Sequence, residues 1–461
     1  MGITQKLADF VAGLDLEDMP PRAVEATKSV ILDTLGSALA GTSAEGISIL
    51  RGLSEEWAGA PQSTIWGFDQ KVPAPQAALV NGVASRARDI DEVHEVAVMH
   101  SGASVVPACL AVAEWTGGIA GRELIPAVAG GIDIMTRLGV SLERQPNLSG
   151  ISSTWHLGVF GAAAAAGRLL GLDEQGILDA LGIANCLAAG TQQAITEGTL
   201  MVRVMQGITA QSGLMAAILA SRGVNGPHQA LEGGMGYFAA YHGNRFDPAA
   251  VTNGLGERFE VSNCSIKPFP CCKVIHSAAA GALEIGSRHH LDPGDIEEIT
   301  VRVNKAADNL VCQPLESKKR PSSIPDAQFS LPYCVAVALA KGDLFLNDFT
   351  PQALQNKQVL GLAEKIQVKV DPEIERLCGR EIGFSQVEVR VSGQGVLTAR
   401  VERVKGNPLN PMTGEEVEEK FHKCAALAAR TLAPEALDKI AETVRHLEDC
   451  PDTACLAELL H

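Results

Sequence analysis

The stretch FGAAAAAGRLLGLDEQGILDALGIANCLAAG (160–190) leaves few ways for its chain to fold. Apolar residues recur in it at three- and four-residue steps, and most of them are Ala, Leu or Gly. Small side chains at helical spacing let helices approach closely. The stretch therefore predicts two packed helices broken at Gly-Leu-Asp, with Asp173 able to cap the second. RAVEATKSVILDTLGSALAG (22–41) follows the same rule and stops at a Gly, and TQKLADFVAGL (4–14) predicts a helix capped by Thr4. Aromatic residues make up only 4% of the chain, which favours packed helices over a β-sandwich. No fixed 30–50-residue period is present, which disfavours a helical solenoid.

The texture changes after residue 265. Ile299, Val301 and Val303 alternate with polar residues, and so do Ile366, Val368 and Val370. Val387, Val389 and Val391 face Leu397, Ala399 and Val401 across Ser-Gly-Gln-Gly, a hairpin pattern. Helical stretches are expected between these strands, near 273–290 and 326–341. From Thr413 the pattern is helical again, opening with a Thr-x-x-Glu capping box. The expected fold is mainly α: a large, discontinuous all-helical domain with a smaller inserted α+β lid domain. The boundaries fall at 1–264, 265–405 and 406–461, the last part returning to the helical domain. Clefts between two such domains are favoured places for ligands.

Bulk properties exclude several partners. A net charge of −16 argues against nucleic acid and anionic membrane surfaces. VMQGITAQSGLMAAILAS (204–221) carries Gln, Thr and Ser, and reads as a core helix, not a membrane span. The first residues lack the charged and apolar regions of a signal peptide, and eleven cysteines without one suggest reduced thiols. A cytoplasmic protein is expected. Neither Cys271–Cys272 nor Cys450–Cys455 has zinc or cluster spacing. The sequence has no GxGxxG after a strand, no GxxxxGK(S/T), no HExxH and no GxSxG. No nucleotide, other cofactor or metal is expected, and a serine-hydrolase mechanism has no support.

Four places can carry chemistry. ARDIDEVHEVAVMHSG (87–102) gathers acidic residues and histidines before the Pro-containing helix SVVPACLAVAEW. It is either a solvated acidic loop or a site in which His100, beside a helix N-terminus capped by Ser104, stays neutral and serves as a base. His156 follows Trp155 in a run without charge, as a satisfied core residue or a proton carrier. SIKPFPCCKVIHSAAAGALEI (265–285) carries Lys267, Lys273 and His276 at the domain junction. It suits either a linker or carboxylate binding, with Lys273 and His276 on one helix face. Arg203, alone in MVRVMQG (201–207), needs an anionic ligand or an acidic partner from 89–95.

These segments, taken in order, resemble the MmgE/PrpD family over nearly the whole chain. ILDTLGSALAG, the 87–102 stretch with its following helix, STWHLGVFGAAAAAGRLLGLD, SRGVNGP and LEGGMGYF are similar to segments of its helical domain. KPFPCCKVIHSAAAGALEI and FSLPYCVAVALAKGD look like its lid segments, and VKGNPLNPMTGEEVEEKF like its return to the helical domain. The resemblance implies site roles for Asp89, His100, His156, Lys267, His276 and Tyr333, a homodimer, and neither metal nor nucleotide. Family members act at a carbon next to a carboxylate: 2-methylcitrate dehydratase, cis-aconitate decarboxylase and iminodisuccinate epimerase.

Two departures stand out. Val93 or His94 occupies the place of a Thr found in decarboxylase-type members, and MVRVMQG replaces a Lys-x-Leu-His-x-Gly stretch. A smaller or differently charged acid gains weight from them, and Glu92, His94 and Glu95 become candidates for setting substrate choice.

The expected enzyme holds a carboxylate with Arg203, Lys267 and Lys273 and uses His100 and His156 as base and acid. Asp89 orients a histidine, and His276 and Tyr333 complete the site. A 2-methylcitrate dehydratase-like hydro-lyase ranks first on family precedent. The alternatives are an iminodisuccinate epimerase-like isomerase and a cis-aconitate decarboxylase-like lyase. A non-enzymatic helical interaction protein would leave the clustered His and Lys residues unexplained.

Overall fold

A computed structural model describes residues 1–142, 150–378 and 383–460. The chain divides into two compact units, Met1–Ile266 with Met412–His461, and Lys267–Pro411.

The first unit is built from helices. Those that matter below are α1 (Ile3–Gly13), α2 (Pro21–Gly41), α3 (Ala74–Arg86), α4 (Gly102–Thr116), α5 (Gly121–Val140), α6 (Ser153–Leu169), α7 (Glu174–Leu187) and α8 (Met201–Ser221). Two further helices, α11 (Gly414–Ala425) and α12 (Pro434–Arg445), come from the end of the chain. A two-residue strand β1 (Val93–His94) pairs antiparallel with β2 (Cys264–Ser265).

The break at Gly-Leu-Asp lies where expected, and Asp173 accepts a 2.8 Å hydrogen bond from Gly176 N at the start of α7. Thr4 is not a cap. Helix α1 begins one residue earlier, and the Thr4 hydroxyl instead bonds Glu232 at 2.6 Å.

Helix α8 packs against α3, α6 and α7. Its length and composition would suit a membrane span, but this packing makes it a core helix of the unit. Close approach depends on Gly207, where an added Cβ would lie 2.1 Å from the Leu79 carbonyl oxygen. Small residues at such crossings let helices in a core poor in aromatics approach closely.

The second unit is a four-stranded sheet with helices. Strand order is β4 (Ile366–Val370), β3 (Ile296–Val303), β5 (Ser385–Val391), β6 (Gly395–Val401). β3 runs parallel to β4 and antiparallel to β5, and the β5–β6 hairpin closes at Val391↔Gly395. Val301, Val387 and Val389 are buried, and α9 (His276–His289) packs on β5 and β6. α10 (Leu331–Lys341) packs beside α9. On the edge strand β4 only Ile366 is fully covered, so the alternation read there marks a strand without marking a full inner face. Thr413 and Glu416 form the expected capping box at α11, with bonds of 2.7 and 3.2 Å.

Candidate active site

Helix α3 ends at Arg86 and the chain turns at once. Asp89 takes a φ of 54°, a left-handed conformation that Asp tolerates better than most residues. The Arg86 guanidinium pairs with Asp89 and reaches Asp91 Oδ1 at 3.2 Å. Asp91 is buried, and its Oδ2 lies 3.0 Å from His100 Nδ1. The Glu92 carbonyl oxygen is 2.8 Å from the same nitrogen. A carbonyl only accepts, so Nδ1 carries the proton in both charge states of the ring, and proton exchange falls to Nε2. The residue orienting His100 is thus Asp91. Asp89, which the resemblance puts in that role, is held by Arg86.

Glu92, His94 and Glu95 have structural tasks. Glu92 Oε1 accepts from Ser101 N at 2.6 Å, Gly102 N at 2.7 Å and Ser101 Oγ at 2.7 Å. It is the cap of α4, in place of Ser104, whose hydroxyl bonds Gln206. Burial pushes the Glu92 carboxyl up to about 7, helped by Asp91 and Asp33 and opposed by those hydrogen bonds. His94 Nε2 donates to Glu260 at 3.1 Å, while its Nδ1 accepts from Ala97 N at 3.0 Å. Glu95 accepts from Ser265 Oγ. These bonds fix β1 against β2, and with them the loop that presents Asp91 and His100.

Asp91, Glu92 and His100 offer ligand atoms within 4.8 Å of one another, so a cation is conceivable by donor type. His100 Nδ1 bonds the Glu92 carbonyl at 2.8 Å, and Asp91 Oδ2 faces the same nitrogen at 3.0 Å as an ion-pair partner. The arrangement fits a proton-carrying dyad.

His156 opens α6 and is 2% exposed. Its Nε2 donates to the Gly190 carbonyl at 3.1 Å, and Tyr241 meets the ring edge-on at 4.8 Å. Among the described residues its Nδ1 has no hydrogen-bond partner. Burial lowers this imidazole to about 4, so it is neutral at pH 7 and its one proton is already committed. The expected role as an acid does not suit this geometry, whereas acceptance of a hydrogen bond at Nδ1 does.

A stability prediction follows from the sign of that shift. The folded value lies below the ordinary 6.5, so the contribution is complete above pH 6.5 and is lost as pH falls toward 4. Urea unfolding at pH 7 and pH 4 is expected to show wild type losing about 3 kcal/mol more than His156→Gln. Equal losses would place the ring in a more polar environment than the one described.

Arg203 lies in the first turn of α8. Among the described residues the alternative of an ion pair between Arg203 and 89–95 is not seen; Arg86 pairs with Asp89 and Asp91. Burial, then Arg88 and Arg86 nearby, lowers the Arg203 guanidinium, with Glu45 and Asp89 acting the other way. A guanidinium crowded by two others is suited to an anionic ligand.

In the second unit Lys267 and Lys273 are buried. Lys273 opens a short 3₁₀ turn (Lys273–Ile275) and His276 begins α9, so they occupy successive turns and do not share one α-helix. His276 Nε2 donates to the Cys271 carbonyl at 3.1 Å, and Phe269 packs on its ring. Gln328 ties the same segment through Pro270 O at 3.1 Å and Cys272 N at 2.9 Å. Tyr333 is fully buried, and its hydroxyl donates to the Asp348 carbonyl at 2.7 Å. That bond ties α10 to the following loop and uses the hydroxyl's only proton.

The residues that sequence reasoning missed are Arg86 and Asp91. A basic residue just before an acidic turn was the available signal, and the i, i+3 and i, i+5 spacing becomes contact only because Asp89 is left-handed.

Residues 5–249 match the MmgE/PrpD N-terminal domain and residues 269–449 the MmgE/PrpD C-terminal domain. The chain belongs to the MmgE/PrpD family. Human cis-aconitate decarboxylase is 28% identical to it over 475 residues, covering 99% of this chain and 94% of the relative. Cis-aconitate decarboxylase of Aspergillus terreus is 28% identical over 483 residues, covering 100% and 96%. The cis-aconitate decarboxylase-like protein oryM of Aspergillus oryzae is 26% identical over 483 residues, covering 99% and 97%. In this MmgE/PrpD chain Asp91 and His100 face each other at 3.0 Å.

Proposed function

We propose that the protein is a cofactor-independent lyase that decarboxylates a small unsaturated tricarboxylic acid of the cis-aconitate type. The similarity to cis-aconitate decarboxylases over nearly full length moves this reading ahead of dehydration, which family precedent alone ranks first. The observation that carries it is the His100 dyad. Asp91 stabilises an imidazolium, and Nδ1 is held, so Nε2 has a proton to give.

The chemistry needs such a donor. One carboxylate leaves as CO₂, its bonding electrons form a new double bond, and the old double bond shifts toward a carbon next to a second carboxylate. That carbon takes one proton, turning a trianion and a proton into a dianion and CO₂. Cations steady the carboxylates that stay; Arg203, Lys267 and Lys273 are assigned to this, with His276 as a further contact and Tyr333 left to packing.

Dehydration remains the second reading, because the same Nε2 in its neutral form abstracts a proton α to a carboxylate. Incubation with cis-aconitate in D₂O, followed by NMR, is expected to show CO₂ release and one deuteron in the product. Inert cis-aconitate with water loss from a hydroxytricarboxylate would overturn the proposal. Arg203→Met is expected to raise KM for the tricarboxylate about tenfold or more with a smaller change in kcat, and Arg203→Lys to recover part of it. An unchanged KM would remove Arg203 from the carboxylate clamp.

A further inference from the structure

Behind the dyad lies a buried ion pair that none of the chemistry above uses. Asp33 sits in the apolar sequence VILDTLG of α2, and Lys420 in the buried stripe Val417, Lys420, Phe421, Cys424 of α11. The two helices cross closely, since a Cβ on Gly36 would lie 3.1 Å from Phe421 Cα. The crossing brings the Lys420 ammonium onto Asp33, with both groups buried. Lys420 Nζ also donates to the Ile90 carbonyl at 2.7 Å. Ile90 is the residue immediately before Asp91.

We propose that Lys420 is a positioning residue for His100, acting through the backbone at Ile90 to hold Asp91 against the imidazole. The proposal rests on His100 being the proton carrier. An ammonium bonded only to Asp33 would be a folding contact. Bonded to Ile90 as well, it limits where the Asp91 backbone can sit. Asp33 holds the Lys420 side chain where Nζ meets that carbonyl.

Within the helical unit, Asp91 and Glu92 contact His100 from its own segment, and Arg86 from α3 reaches Asp91. Asp33 from α2 pairs with Lys420 from α11, and Cys264 from β2 lies against Ser101. The Gln206 amide of α8 lies 3.5 Å from the His100 carbonyl. Lys420 is the cation among these that bonds the backbone of the 89–92 segment.

The test is the His100 titration, read by NMR on protein with ¹⁵N-labelled histidine and assigned with His100→Gln. Lys420→Met is expected to lower the His100 midpoint by about one unit, because Asp91 no longer stays opposite the ring. Turnover should fall about 10- to 100-fold in kcat with KM within about twofold. Asp33→Asn leaves the bond to Ile90 and, by keeping an oxygen for Glu92 N, should change the midpoint less than Lys420→Met. The double variant Asp33→Asn, Lys420→Met leaves no unpaired buried charge, and is used where the single variant does not fold. A folded single or double variant with the wild-type midpoint overturns the proposal. The midpoint is read without substrate, so it decides the positioning role whichever reaction the protein catalyses.

Discussion

His100→Asn is expected to lower kcat by about three orders of magnitude, and Asp91→Asn by about two to four. The first change removes the exchanging nitrogen. The second keeps a side chain of the same size but withdraws the charge that stabilises an imidazolium, while the Glu92 carbonyl still holds the Nδ1 proton. Asp89→Asn should be milder, because Asp89 pairs with Arg86, whose guanidinium in turn reaches Asp91.

The pH profile decides which reaction the dyad serves. Decarboxylation requires protonated His100, so kcat/KM should fall as pH rises and the ring loses its proton. Dehydration or epimerisation begins with abstraction, so kcat/KM should fall as pH drops. In Asp91→Asn the limb should move to lower pH in either case, since a lost carboxylate no longer favours the charged ring. A limb that stays in place in Asp91→Asn would mean that another group sets it.

Much of the fold is legible in the sequence because its causes are local. The spacing of small apolar residues in 160–190, the capping Asp173 and the alternation of Val387 to Val401 each dictate their own element. Thr4 reads as a cap because nothing nearby in sequence announces Glu232 as its partner. The site is legible in its residue types and less so in its pairings. His100 stands out by its place before a Pro-containing helix, whereas the choice of Asp91 over Asp89 depends on one left-handed residue. Asp33 and Lys420 are visible as charges in apolar stripes. Their meeting is fixed by a helix crossing 387 residues apart in sequence, which no local pattern encodes.

Arg137→Met is expected to cost about 3–5 kcal/mol of stability, a large effect for one side chain. Arg137 is fully buried in α5 and paired with Asp133 one turn earlier. It also donates to the carbonyls of Val251 at 3.2 Å, Asn253 at 2.9 Å and Gly254 at 3.0 Å, and to that of Arg258. Met fills the space but leaves the buried Asp133 carboxylate without its cation and removes a donor from four carbonyls, of which Gly254 keeps bonds from Glu257 N and Arg258 N. Burial already pushes Asp133 up to about 6 in spite of Arg137, so without the guanidinium it should rise further. A raised acid is stable protonated, so its contribution is present at low pH and lost as pH rises through the folded value. The variant should therefore be less impaired at pH 5 than at pH 8, and adding Asp133→Leu should recover part of the loss, with the guanidinium's bonds to the carbonyls still missing.

The damage should also reach the dyad. Asp133 accepts from Glu260 N. The Glu260 carboxylate, which burial alone would raise, is held at about 2 by His94 and Asn263. His94 in turn fixes β1 beside Asp91. Chemical unfolding should be measured together with the His100 midpoint in the folded variant. A stability loss with an unmoved midpoint would confine Arg137 to the core, whereas a lowered midpoint would show that the loop carrying Asp91 is braced from α5 as well as from α11.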